Sequence, residues 1–340
     1  MLPKYYRQPH SRSWAKLTIL WMAVATLTLS FLVLYRRYSQ TVARADRIRR
    51  IQHNDMDTNI IQELFDALSA ERLASIAKKY KAEYAQEKPF PHIVIDGLFP
   101  ERYLEQVLKE NPESLLNGGP CLGAAQSCFN LLSSNQNKKS AIEDESLLGL
   151  YTKILFSTMK SSTFTSFLEQ LTAIPDIIAD PHFRGSGMHF TASGGNLNIH
   201  ADFNKYSRFN LDRRVNSFVF LNPDWKEEFG GHLELWSPDM KSCYQRILPT
   251  LGRFVVFSST DFSYHGHPQP LASPSDRARR SMALYYYTNG RPANECLNGD
   301  CSGSGHSTLF QKPSGCQLCE DSTCKSYADD FKPNWVEAVS

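Results

Sequence analysis

Residues 214–221 read RVNSFVFL, and residues 281–288 read SMALYYYT. With HLELW at 232–236 and RFVVF at 253–257, these runs decide the fold class. Each is rich in β-branched and aromatic residues and is bounded by Gly, Pro, Asn or Asp. Two shorter candidates, 187–190 and 196–200, precede them. Short strands at this spacing predict a sandwich or barrel. Upstream, a β-branched run at 92–95 is opened by prolines and closed by Asp96-Gly97. A helix follows at 101–110, and two helical segments within 147–171 meet at Ser161-Ser162. Residues 117–140 are rich in Gly, Ser and Asn and read as loop, with Cys121 and Cys128 able to pair inside it. Helices first and strands afterwards predict an α+β protein, mainly β, with helices buttressing one face of a sheet.

The chain has 340 residues, with 37 Lys and Arg against 35 Asp and Glu. Six of the basic residues lie before Tyr38 with no acid among them, so the remainder is acidic on balance. That balance argues against nucleic acid as a partner. Residues 17–35, LTILWMAVATLTLSFLVLY, carry no charge. A helix of that length reaches about 28 Å, close to the roughly 30 Å of a hydrocarbon core. The run is too long for a signal-peptide core and is closed by Arg36-Arg37, which predicts an uncleaved anchor. Basic residues flank it on both sides, so the positive-inside rule does not favour a lumenal body. The cysteines do. Five of the eight, Cys296, Cys301, Cys316, Cys319 and Cys324, crowd the C-terminus, as suits an oxidising compartment. The expectation is a single-pass type II protein of the endoplasmic reticulum or Golgi membrane with a lumenal body. A stalk follows the anchor. Its Ile60, Ile61, Leu64, Phe65, Leu68, Leu73 and Ile76 have helical spacing, consistent with a solvated spacer or a homodimeric coiled coil.

Chemistry concentrates in GGNLNIHADFN at 194–204. His200 and Asp202 are two apart on a strand-like segment, so both point to one face. An imidazole and a carboxylate on one face are two of the three ligands of a facial triad, which suits non-haem Fe(II). His265 and His267 in SYHGH are both candidates for the third. Beyond them, alternation in RRSMALY sets Arg279, Ser281, Ala283 and Tyr285 on one face and Met282, Leu284 and Tyr286 on the other. Arg279 on the inner face could clamp a carboxylate, with Ser281 adding a hydrogen bond, whereas Arg280 would face outward. Asn198 and Asn204 lie on the local face of His200 and Asp202.

His200-x-Asp202, the distal Tyr-His-Gly-His-Pro and Arg279-x-Ser281 together resemble the Fe(II)- and 2-oxoglutarate-dependent dioxygenases, in the prolyl 4-hydroxylase-like branch. The resemblance covers residues 88–292. It implies a double-stranded β-helix (jelly roll) with supporting helices. It also implies Fe(II) on His200, Asp202 and His265, and 2-oxoglutarate on Arg279 with Ser281 as a helper. O2 is then the oxidant and ascorbate a further cofactor. The implied reaction hydroxylates a substrate C–H bond, that of a prolyl residue in a peptide or protein, with decarboxylation of 2-oxoglutarate to succinate and CO2. One departure stands out: where the family often has Tyr in Gly-Gly-x-Tyr-x-x-His-x-Asp, this chain has Leu197. That keeps a lysyl, glycan or small-molecule substrate open, and beside these a non-catalytic jelly-roll binding module.

The expected organisation is a cytosolic tail (1–16), a transmembrane anchor (17–35), a helical stalk (36–87), a dioxygenase domain (88–292) and a Cys-rich tail (293–340). The tail is expected to be disulfide-bonded, with one cysteine over that could pair with Cys243 or with another chain. A zinc site through Cys316-x-x-Cys319 is the alternative.

Overall fold

A computed structural model describes residues 57–111, 128–133, 135–301, 303 and 305–312, with Tyr35, Arg36 and Ser39. Among the described residues no helix is long and apolar enough to cross a membrane. The run at 17–35 lies outside them apart from Tyr35, as do Cys121, Cys316, Cys319 and Cys324.

The centre of the fold is a curled antiparallel sheet, a half-barrel consistent with a jelly roll. Its main path runs β1 (His92–Ile95), β10 (Phe254–Ser258), β7 (Leu211–Phe220), β12 (Ala278–Thr288), β5 (Gly187–Ala201), β11 (His265–His267), β8 (Leu233–Trp236), β9 (Cys243–Ile247). The two short candidates at 187–190 and 196–200 are one strand, β5. Its first half pairs with β12 and its second half with β11, so the strand carries the sheet around its curl. Gly194-Gly195, between those halves, gave the sequence its apparent break. Gly194 has φ +74°, and a Cβ on Gly195 would come within 2.7 Å of the Asn137 carbonyl oxygen.

The alternation read in β12 is present. Met282, Leu284 and Tyr286 join a core with Met188 and Phe190 of β5 and Val215 and Val219 of β7. Helices cover that face: α1 (Thr58–Ala67), α2 (Ala70–Gln86), α3 (Glu101–Glu110), α4 (Leu150–Met159) and α5 (Ser162–Thr172). Phe156, Phe164, Phe167 and Leu168 on the last two are fully buried there. The opposite face is narrower and aromatic, with Phe218, Phe220, Val255, Phe257, Leu233 and Leu235 packed together.

Four expectations change. Residues 58–86, read as a stalk, form α1 and α2. Their Ile60, Leu64, Leu68, Leu73 and Ala77 are buried in the same core as the sheet. Helical spacing marks an apolar face without saying what covers it, and here the chain's own sheet side does. A dimeric coiled coil through these residues therefore loses its seam. The 117–140 loop is a hairpin in its second half, β2 (Cys128–Ser133) and β3 (Gln136–Ile142), and β3 adds to β5. Arg280 is not outward but buried, donating to the Asn111 carbonyl beyond α3. Finally, the tail is not wholly an appendage. Cys296 and Cys301 are bridged, Cys243 is also disulfide-bonded, and β13 (Leu309–Phe310) pairs with the end of β5.

Candidate metal centre

The end of β5 places His200 and Asp202 on one side of the curl. β11 lies antiparallel beside it with His265 directly opposite His200. Cross-strand neighbours of this kind bring side chains within contact, and the two rings lie 4.6 Å apart. His200 Nε2 is 3.5 Å from Asp202 Oδ1. His265 Nε2 is 3.5 Å from Asp202 Oδ2. One donor atom from each residue falls within a 4.8 Å group.

The imidazoles are oriented from behind. His200 Nδ1–H donates to the Asn198 carbonyl at 2.8 Å, and His265 Nδ1–H donates to the Ser263 carbonyl at 2.9 Å. Those bonds fix the proton on Nδ1 and leave each Nε2 lone pair facing the carboxylate. Burial pushes His265 down to about 4, so it is a neutral base at physiological pH. Burial also opposes the charge on Asp202, but Arg213, the largest opposing influence, helps hold the carboxyl well below its usual range. Arg213 reaches Asp202 Oδ2 at 3.0 Å, and Asn216 donates to the same oxygen at 2.6 Å. The Arg213 guanidinium is itself stacked 3.3 Å from the Tyr285 ring. Arg213, Asn216 and His265 thus converge on Oδ2, and Oδ1 is turned to His200. Two imidazole nitrogens and one carboxylate, each oriented by a second partner, fit a divalent first-row ion and leave part of its coordination sphere open.

The same cavity, about 200 Å³, is lined by Arg279, Ser281, His267, His189, Lys139, Leu197 and Phe310 among others. Arg279 is buried, and burial alone pushes its guanidinium down to about 9. Its Nε donates to the Gly231 carbonyl at 2.7 Å and its carbon centre lies 4.9 Å from the Phe220 ring. Among the described residues no carboxylate pairs with it. A buried guanidinium without an acid is costly unless an anion arrives, which fits the distal carboxylate of a dicarboxylic co-substrate. Gly231 keeps the approach open: it has φ +71°, and a Cβ there would lie 2.5 Å from Leu271 Cδ2 and 3.0 Å from Arg279 Cδ. Ser281, on the same side of β12, is buried.

His267 points into the cavity too, with neither ring nitrogen hydrogen-bonded, but it is not in the His–Asp–His group. Asn198 reaches the site through its backbone. Asn204 does not reach it; its side chain donates to Asp261. Residues the sequence reading passed over are Arg213, Asn216, Lys139, His189 and Phe310. Asn216 was legible, since it shares the cavity face of β7 with Phe218 and Phe220. Phe310 was not: it arrives from the tail, its ring 5.3 Å from that of His200.

Residues 186–287 match the 2OG-Fe(II) oxygenase superfamily. No curated protein matches the chain in sequence. Among solved structures, the chain is similar to a prolyl hydroxylase from Trichoplax adhaerens in complex with a hypoxia inducible factor peptide fragment. That match has 16% identity and TM-score 0.44, covering 64% of this chain and 91% of that one. A Pseudomonas putida prolyl-4-hydroxylase matches at 16% identity and TM-score 0.42, covering 63% and 100%. HygX from Streptomyces hygroscopicus with nickel and 2-oxoglutarate bound matches at 10% identity and TM-score 0.38, covering 60% and 86%. The superfamily match runs from just before β5 to the last residue but one of β12, taking in His200, Asp202, His265 and Arg279, so the segment that carries the site is a 2OG-Fe(II) oxygenase match.

Proposed function

We propose that the chain is a hydroxylase in which His200, Asp202 and His265 hold Fe(II) and Arg279, helped by Ser281, holds the far carboxylate of 2-oxoglutarate. The observation that carries this reading is the pairing, in one cavity, of a pre-oriented His–Asp–His group with a buried guanidinium that no acid among the described residues neutralises. Bound iron supplies the activation of O2 coupled to decarboxylation of 2-oxoglutarate to succinate and CO2. The protein's part is geometric and electrostatic. Asn198 and Ser263 set the imidazole tautomers; Arg213 and Asn216 aim the carboxylate; Phe218, Phe220 and Phe310 line the cavity with apolar surface. The acceptor in this reading is a prolyl residue of a peptide or protein, on the strength of the motif order in the sequence. Leu197 in place of tyrosine removes one phenol from the cavity wall.

The test is succinate formation by the full chain with Fe(II), 2-oxoglutarate, ascorbate and O2. Slow turnover without acceptor, abolished by a chelator and by His200→Ala, is the expected result. No turnover, together with no Mn(II)-dependent binding of N-oxalylglycine by the folded protein, would overturn the reading in favour of a binding module.

In the cell, the proposed setting is a single-pass anchor at 17–35 with the oxygenase lumenal in the endoplasmic reticulum or Golgi. The cysteine crowding and the Cys296–Cys301 bridge support an oxidising compartment. Protease added to sealed microsomes is expected to spare everything beyond the anchor; digestion of the oxygenase domain without detergent would reverse the orientation.

A further inference from the structure

β3 carries two adjacent lysines that go opposite ways. The β3–β5 register shifts between Asn137 and Lys139, and Lys138 takes φ +50°. A bulge of this kind re-aims the following side chain. Lys138 is exposed and its ammonium donates to the Ser193 carbonyl at 3.0 Å. Lys139 is half-buried and lines the cavity that holds His200, Asp202, His265 and Arg279. Among the described residues its ammonium makes no hydrogen bond and no ion pair. The acid on the same wall, Glu143, does not reach it within ion-pair distance, and burial pushes that carboxyl up, towards its neutral form. An apolar residue would be the expected occupant of such a position.

The charges already assigned do not use Lys139. Asp202 is paired with Arg213, and Arg279 faces the far end of the co-substrate. A divalent metal, when bound, would be met by Asp202. Among the described residues that line the cavity, Lys139 is then the cation left over. It also differs in place from Arg279: the arginine is 7% exposed and on β12, whereas Lys139 comes from β3 and keeps part of its surface open to solvent. A partly exposed cation in the cavity wall can meet what enters after the co-substrate.

We propose that Lys139 binds a carboxylate of the acceptor, so that the acceptor is an acidic peptide with a side-chain carboxylate close to the residue that is hydroxylated. This rests on the oxygenase reading and specifies the substrate class of the same site. His189 and His267 sit near Lys139 on the same wall and are kept neutral by burial, so they add hydrogen-bonding capacity without adding charge. Burial pushes the Lys139 amine down to about 8, which makes it a fast target for amine acylation at pH 8.

The test maps acylation of Lys139 by mass spectrometry on the full chain, with Mn(II) and N-oxalylglycine occupying the centre. Three probes are added in turn: a Pro-Glu tetrapeptide with blocked ends, its Pro-Gln counterpart, and N-acetylglutamate. The Pro-Glu peptide is expected to slow acylation several-fold and the Pro-Gln peptide to leave it unchanged. Protection by N-acetylglutamate equal to that by the peptide would keep the carboxylate site but make a free acid its source. Protection by N-oxalylglycine alone would give Lys139 to the co-substrate instead. Equal protection by the acid and amide peptides, or protection by no probe, would also overturn the proposal. Failure of the wild type to bind Mn(II) with N-oxalylglycine would bring down the oxygenase reading itself.

Discussion

Asp202→Ala is expected to do two things at once: abolish metal binding and destabilise the fold by about 3–5 kcal/mol. The metal effect follows from the donor set, since two imidazoles alone hold a divalent ion far less well than two imidazoles and a carboxylate. The loss should exceed the 10- to 100-fold typical of removing an orienting partner. The stability effect has a separate origin. Arg213 is 1% exposed, with its guanidinium against Tyr285 and 3.0 Å from Asp202. Removing the carboxylate leaves that cation buried and uncompensated, and Asn216 loses its acceptor. His200→Ala is the control. It removes a ligand and no buried charge, so metal binding should fall with a smaller loss in urea unfolding. If the two variants unfold at the same denaturant concentration, Arg213 is not held by Asp202 in the way the geometry requires.

How legible this centre was depends on how local its causes are. The His200 and Asp202 pair is set by a period of two along one strand, and the inward face of β12 likewise, so both could be read from residue order. His265 needed a partner strand, and its register against His200 is a property of the sheet rather than of either segment. That is why His267 remained a candidate on the residues alone. The helices at 58–86 were read as helices correctly, but amphipathicity does not say what covers the apolar face. β3 was missed because Gly, Ser and Asn dominate the segment before it and because Lys138-Lys139 looks like exposed loop. The bulge that turns one lysine inward has no signature in composition. Arg280 shows the same limit from the other side. Its neighbour Arg279 was rightly set on the inner face, yet "outer" on this sheet means beneath helices, where Arg280 finds the carbonyl that ends α3. The tail was read from its cysteines, and nothing in them signals that Phe310 would close against His200.

Arg279→Met is expected to raise the KM for 2-oxoglutarate by roughly 30-fold to several thousand-fold, the equivalent of the 2–5 kcal/mol lost when one member of a buried charge pair is truncated. Metal binding should be unaffected, because Arg279 touches none of the three proposed ligands. Arg279→Lys should recover only part of the loss: an ammonium offers one point charge where the guanidinium offers a fork. The sharper expectation concerns stability without ligand. In the free protein Arg279 is a buried cation that meets the Gly231 carbonyl and the Phe220 ring, and burial alone displaces its pKa. Replacing it by a thioether of similar length should leave the free protein as stable as before or more so, the opposite sign from Asp202→Ala. Adding Mn(II) with N-oxalylglycine should then raise the unfolding midpoint of the wild type and not that of Arg279→Met, since a ligand stabilises only the state it binds. Two buried charges in one cavity would thus respond in opposite senses. Asp202 is compensated within the chain, so its removal costs stability. No acid among the described residues compensates Arg279, so its removal is expected to cost binding alone. A fall in ligand-free stability of Arg279→Met comparable to that of Asp202→Ala would mean that Arg279 is a structural cation, and that the far carboxylate of the co-substrate is held elsewhere.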